Sequence, residues 1–230
     1  MLRCLLACVY TATAFAGVAV AAGPAAQSAD GRWLVTADVQ GIAVYDRGVR
    51  VKTLASTSRD GRTGPSAVAG IHHVDARRSF VIAFETLSEL WELSIDPHAA
   101  PIFDGLVHDY RLGEAVAEAG YLGARRTRLD VPLRDLAFDE SGAFVLGRAA
   151  PEPGSPTVLH LVNLDIRRTI GRFAVGGDPD LAASRTLQCD GRTLLSVPDR
   201  NGGPPTVLDL RRAQRVEPVG PDKPPLCSRM

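Results

Sequence analysis

The chain has 230 residues, 45% of them hydrophobic and 23% charged, with 26 basic against 26 acidic side chains. Such a composition suits one folded core or two small ones and excludes a disordered or low-complexity chain. The balanced charge leaves no electrostatic case for nucleic acid or for an anionic membrane surface.

The N-terminal stretch MLRCLLACVYTATAFAGVAVAAG opens with Arg3, continues as an apolar run and ends in small residues, with Ala19-Val20-Ala21 in the A-x-A pattern. The run is short and rich in Ala and Thr, so a signal peptide over residues 1–21 is expected rather than a permanent anchor. Leu5-Leu6-Ala7-Cys8 looks like a lipoprotein box, but a cut there leaves a leader too short for an apolar core. The mature chain, residues 22–230, is then expected in the periplasm with no membrane anchor. Cleavage removes Cys4 and Cys8 and leaves Cys189 and Cys227 in an oxidising compartment. One disulfide is expected. Closing a loop of about 38 residues is worth roughly 4 kcal/mol in the chain-entropy account. Two free buried thiols are the alternative.

Four turns containing Asp each lead directly into a short apolar strand: ADGRWLVTA from Ala29, VDARRSFVIAF from Val74, FDESGAFVLG from Phe138 and CDGRTLLSV from Cys189. A second strand follows each, in GIAVYDR, SELWELSID, TVLHLVNLD and PTVLDLRR, and then a return segment such as VKTLA, TIGRFAV or RVEPV. The turn residues Asp30, Asp75, Asp139 and Asp190 are spaced 45, 64 and 51 apart. A period of this size, as in WD40-like repeats, predicts an all-β fold: a β-propeller of four-stranded antiparallel blades, about four of them. The long middle interval predicts an insertion at 97–132 between two blades. It contains FDGLVHDYRLGEA, where His108, Asp109, Tyr110, Arg111 and Glu114 crowd together.

From Trp91 to Ser94, through Asp96-Pro97, Phe103 to Glu114 and Arg125 to Asp130, and on through Val162 to Val175, the chain resembles the cytochrome d1 family. These β-propellers include the d1-haem domain of nitrite reductase and relatives in haem d1 biosynthesis. The resemblance implies a periplasmic, eight-bladed propeller linked to denitrification. It also implies haem d1 or a precursor on the central axis, held through His with basic residues near its carboxylates. About four blades make half such a ring, so a truncated member is expected. The family's Pro-His-Leu-Gly-Ser-Gly stretch is matched here by Pro179 to Ser184, with Asp180 in the place of His. Aspartate is a poor axial ligand for haem iron, so impaired cofactor binding, or no cofactor, is expected.

The candidate cofactor-binding residues are His72, His73, His108, Arg111, Arg125 and Arg126. Each has a plainer alternative. His72 and His73 stand at the approach to a strand, where adjacent side chains point to opposite faces, so one packs under the turn and the other meets solvent. His108 to Glu114 suit a polar network that ties the insertion down, with Arg111 pairing Asp104, Asp109 or Glu114. His160, between apolar neighbours in VLHLVNL, reads as a sheet histidine.

No G-x-S-x-G, H-E-x-x-H, P-loop, G-x-G-x-x-G, C-x-x-C or C-x-x-C-H motif occurs. No catalytic residue is therefore assigned, no metal site is specified, and the balance points away from an enzyme. A haem d1-related carrier, maturation factor or reductase remnant is the first reading. A cofactor-free interaction scaffold or a non-functional remnant is the second, and a lactonase-like propeller rests on fold analogy alone. An open set of four blades leaves an apolar face at each end, which predicts self-association or a protein partner that covers them.

Overall fold

The computed structural model describes residues 23–38, 41–58, 64–103, 118–150, 154–189, 191–216 and 227–229. These form four antiparallel sheets in which sequential strands are neighbours. Blade 1 comprises β1 (Ala25–Gln27), β2 (Trp33–Asp38), β3 (Gly41–Asp46) and β4 (Val49–Leu54). Blade 2 comprises β5 (Val68–Val74), β6 (Ser79–Phe84), β7 (Glu89–Ser94) and β8 (Ala124–Arg128). Blade 3 comprises β9 (Leu133–Phe138), β10 (Phe144–Ala149), β11 (Thr157–Asn163) and β12 (Arg168–Val175). Blade 4 comprises β13 (Arg185–Cys189), β14 (Arg192–Val197), β15 (Thr206–Asp209) and β16 (Gln214–Val216), and β17 (Cys227–Arg229) adds to the free side of β13. The expected all-β, four-bladed architecture is the observed one.

The turn chemistry explains why each repeat begins where it does. Asp30 accepts the Ser28 hydroxyl at 2.5 Å and the Arg32 amide at 3.0 Å, and Gly31 takes φ 71° between them. Asp139 does the same work in blade 3, accepting the Phe144 amide at 2.9 Å and the Ser141 hydroxyl at 2.6 Å. At Asp75 the turn closes as a single 3-10 turn, Asp75–Arg77. The fourth turn residue, Asp190, lies outside the described residues.

Blades stack face on face. Every residue of β6 is buried because the strand is covered on both sides. Phe80, Ile82 and Phe84 pack towards Trp33, Val35 and Ile42 of blade 1, whereas Val81 and Ala83 pack towards Leu133, Leu136 and Val145 of blade 3. The other face of blade 3, with Leu146, Leu159 and Leu161, meets Leu195, Val197 and Leu208 of blade 4. Burying side chains such as Phe80, Phe84 and Trp91 contributes about 1.5–3 kcal/mol each. Among the described residues blade 1 has a neighbouring blade on one side only, and its strand β2 alternates between buried and half-buried residues accordingly. The first strands touch in succession, β1 with β5 and β5 with β9, so they form the inner side of the stack and the fourth strands its outer rim.

Two expectations need correction. The stretch 97–132 does not separate two blades, because β8 lies inside it and pairs with β7 in the register Trp91↔Arg126 and Glu92↔Arg125. The insertion therefore interrupts blade 2 between its third and fourth strands. His72 and His73 are not at the approach to a strand but within β5, opposite Val81 and Phe80.

Candidate functional site

The alternation of β5 sends its two histidines to opposite seams. His72 faces blade 3, its ring centroid 5.6 Å from that of Phe138. Burial lowers its pKa below the ordinary histidine value, and the nearby Asp135 carboxylate partly opposes this. His73 lies against Phe80, the ring centroids 5.0 Å apart and the planes tilted by 50°, and lines a cavity of about 260 Å³ with Asp30, Arg32 and Trp33 of blade 1 and Asp75 and Arg78 of its own blade. The two rings do not converge on one ligand. His108 and Arg111 lie outside the described residues.

Arg125 and Arg126 sit on β8, at the outer rim. Arg125 reaches Glu92 at 3.8 Å. Arg126 lies 4.2 Å above the Trp91 ring, donates to the Thr57 carbonyl at 3.2 Å and approaches Glu89 at 3.8 Å. Glu89 in turn accepts the Trp91 indole N–H at 2.7 Å. A guanidinium over an indole face with a carboxylate behind it is a satisfied, partly desolvated cation. Both arginines thus tie blade 2 together, far from its inner strand.

The densest polar group joins blades 3 and 4. Arg148, at the end of β10, donates to Asp178 at 2.7 Å and also contacts Asp135. Arg200 approaches Asp178 at 3.6 Å and Asp180 at 3.4 Å. Asp180, which stands where the family carries His, also accepts the Ala183 amide at 3.2 Å. Its pKa is lowered, first by the bond from Arg200. Asp199 is held by the amides of Asn201 at 3.0 Å and Asp178 at 2.9 Å, which keep its carboxylate ionised. A Cβ on Gly177 or Gly203 would stand 2.1 or 2.4 Å from the Asp199 carboxylate, so only glycine lets the two loops close around it.

Iron in a haem needs a His, Met, Cys or Tyr ligand, and haem carboxylates need unpaired cations. The cluster between blades 3 and 4 does not fit such a group. Asp180 is spoken for by Arg200, and the carboxylates of Asp135, Asp178, Asp180 and Asp199 outnumber the guanidiniums of Arg148 and Arg200. No cluster of three or more His, Cys, Asp or Glu suited to a metal ion occurs among the described residues. Cys189 is disulfide-bonded, and the register of β13 with β17 sets Cys227 directly opposite it. No helix among the described residues is long and apolar enough to cross a membrane.

The fold is that of a segment of an antiparallel β-propeller. Within that class the chain resembles the cytochrome d1-type propellers in sequence and in shape. It is 23% identical over 201 residues to dihydro-heme d1 dehydrogenase of Pseudomonas aeruginosa, a match covering 86% of this chain and 36% of that protein. The solved structure of dihydro-heme d1 dehydrogenase NirN in complex with DHE superposes with a TM-score of 0.64 at 20% identity, over 84% of this chain and 36% of that one. A propeller domain of Myceliophteria thermophila Cps50 (Swd1) gives a TM-score of 0.47 at 9% identity, over 80% of this chain and 52% of that one. The chain thus spans about a third of the length of the curated relative it matches. No protein family model matches it.

Proposed function

We propose that this chain is an exported, haem d1-related propeller segment in which cofactor binding is impaired. The observation that carries the reading is Asp180, bonded to Arg200 at the position where the resembling family has histidine. Supporting it, His72 and His73 diverge into different seams, and Arg125 and Arg126, two of the three arginines expected near haem carboxylates, are engaged on the outer rim. The relative named above acts on dihydro-haem d1, so haem d1 or its precursor is the ligand to test. Titration of the mature chain with haem d1 or a close analogue is expected to give no histidine-dependent Soret shift. A shift that disappears in His72→Ala, His73→Ala or His108→Ala overturns the reading. Export is checked by N-terminal sequencing of the periplasmic protein, which is expected to begin at Ala22; an intact leader counts against it.

A second reading, a cofactor-free interaction scaffold, is favoured by the half-buried far face of blade 1, which carries Leu34, Thr36 and Tyr45 with no further blade against it among the described residues. Self-association or a protein partner would cover such a face. Sedimentation is expected to find a dimer or a co-purifying complex, and a stable, partner-free monomer removes this reading.

A further inference from the structure

We propose that β4, the outer edge of blade 1, is a docking edge for an extended acidic segment of a partner protein, which adds to it as a fifth strand. The run Arg47-Gly48-Val49-Arg50-Val51-Lys52-Thr53 is exposed throughout. Val49 and Val51 are 66% and 44% exposed, unusual for strand valines. Arg47, Arg50 and Lys52 carry three positive charges with no acidic residue between them.

The other outer strands do not share this character. On β8, Arg125 and Arg126 are held by Glu92, Glu89 and Trp91. On β12, Arg172 contacts Asp130 and Phe173 packs on the core. Strand β16 spans only Gln214–Val216. Among the described residues β4, like the other outer strands, pairs with one neighbour and leaves one row of backbone donors and acceptors open; what sets it apart is that its cations and valines lie exposed along that edge. An open edge is a template for another strand, and alternate side chains then choose the partner.

Charge decides the occupant. A second copy pairing antiparallel through β4 would bring two cationic runs together, and in the register centred on Val51 would set Arg50 opposite Lys52, which opposes association. An extended segment alternating acidic and apolar residues complements both the cations and the valines. An anionic lipid surface would satisfy the charges but leaves the open backbone row unpaired.

The inference stands independently of haem binding. Its test uses the full chain with a fluorescent peptide of alternating Glu and Val, a Lys/Val counterpart and phosphatidylglycerol vesicles. Expected are binding of the Glu/Val peptide, slowed hydrogen exchange at the amides of residues 49–54, and weakening by about tenfold or more in high salt. Arg50→Glu/Lys52→Glu, at exposed positions that leave the core intact, is expected to lose the Glu/Val peptide and gain the Lys/Val one, with an unchanged circular dichroism spectrum. Three results overturn the proposal: no peptide binding by the folded protein, binding indifferent to the charge reversal, or binding without exchange protection in β4. Vesicle binding in place of peptide binding assigns the strip to a lipid surface instead.

Discussion

Blade 3 is fastened to its two neighbours by arginines that meet water very differently. On the blade 2 side, Arg77 forks onto Glu92, with Nε 2.7 Å from Oε1, and reaches Asp165 of blade 3 at 2.7 Å. Its side chain is 13% exposed and that of Glu92 9%. Burial works against the Arg77 charge, but the bonds from Glu92 and Asp165 more than restore it, and its pKa is raised. On the blade 4 side, Arg148 and Arg200 share Asp178, and Arg200 and Asp178 are 42% and 40% exposed. Arg77 and Glu92 form a desolvated fork within blade 2 in which each compensates the other's lost hydration, and Arg77 extends from it to Asp165, which is 59% exposed; on the blade 4 side Arg148 is 22% exposed and Arg200 completes a more solvent-screened chain.

Removing one partner separates the two cases most sharply at Arg77. Arg77→Ala leaves Glu92 buried with only the distant Arg125 and the Ser79 hydroxyl at 3.2 Å. A loss of about 3 kcal/mol is expected, read as a lower urea midpoint. A loss below about 1 kcal/mol would mean that water enters the seam and that the two centres are alike. Arg148→Ala, where the side chain is 22% exposed but its partners Asp135 and Asp178 are each 40% exposed, is expected to cost about 1 kcal/mol. Arg200→Ala should move the midpoint least, and the effect should shrink further as salt is raised. A salt-resistant loss at Arg200 would erase the contrast.

The same contrast explains what the sequence made legible. The repeat could be read because Asp30 and Asp139 cap turns by local hydrogen bonds, which leave a fixed spacing in the chain. The second and third strands announced themselves through apolar runs such as Ser79–Phe84, which is buried on both faces. Three of the outer strands, β4, β12 and β16, were legible as the return segments VKTLA, TIGRFAV and RVEPV, but the inner strands and β8 were not. Strand β8 reads ARRTR and has no apolar alternation; what holds it is the ladder to β7 and the pairing of its arginines with Glu92, Glu89 and Trp91. Taken as free cations, those arginines suggested a ligand, whereas their partners lie over thirty residues earlier in the chain. Arg77 and Arg148 escaped notice for the same reason, since Asp165 and Asp178 come from the next turn or loop in space rather than from adjacent residues.

The smallest expected effect links the two seams. His72 lies between blades 2 and 3, yet the charge acting on it, Asp135, belongs to the Arg148 chain. Because burial lowers the His72 pKa, the folded protein favours the neutral ring. As pH falls through the ordinary histidine value of 6.5, the unfolded chain takes up a proton that the folded one resists, so this histidine contributes a stability loss on acidification and nothing well above that pH. Asp135→Asn removes the anion that favours imidazolium. The His72 ring signal, followed by NMR, is then expected to titrate at still lower pH, and the acid loss of stability to steepen. If the His72 titration is identical in both proteins, Asp135 acts only on Arg148 and the two seams are electrostatically separate. A downward shift makes blade 3 a conductor of charge between its neighbours, with the solvent-exposed chain setting the protonation of the buried ring.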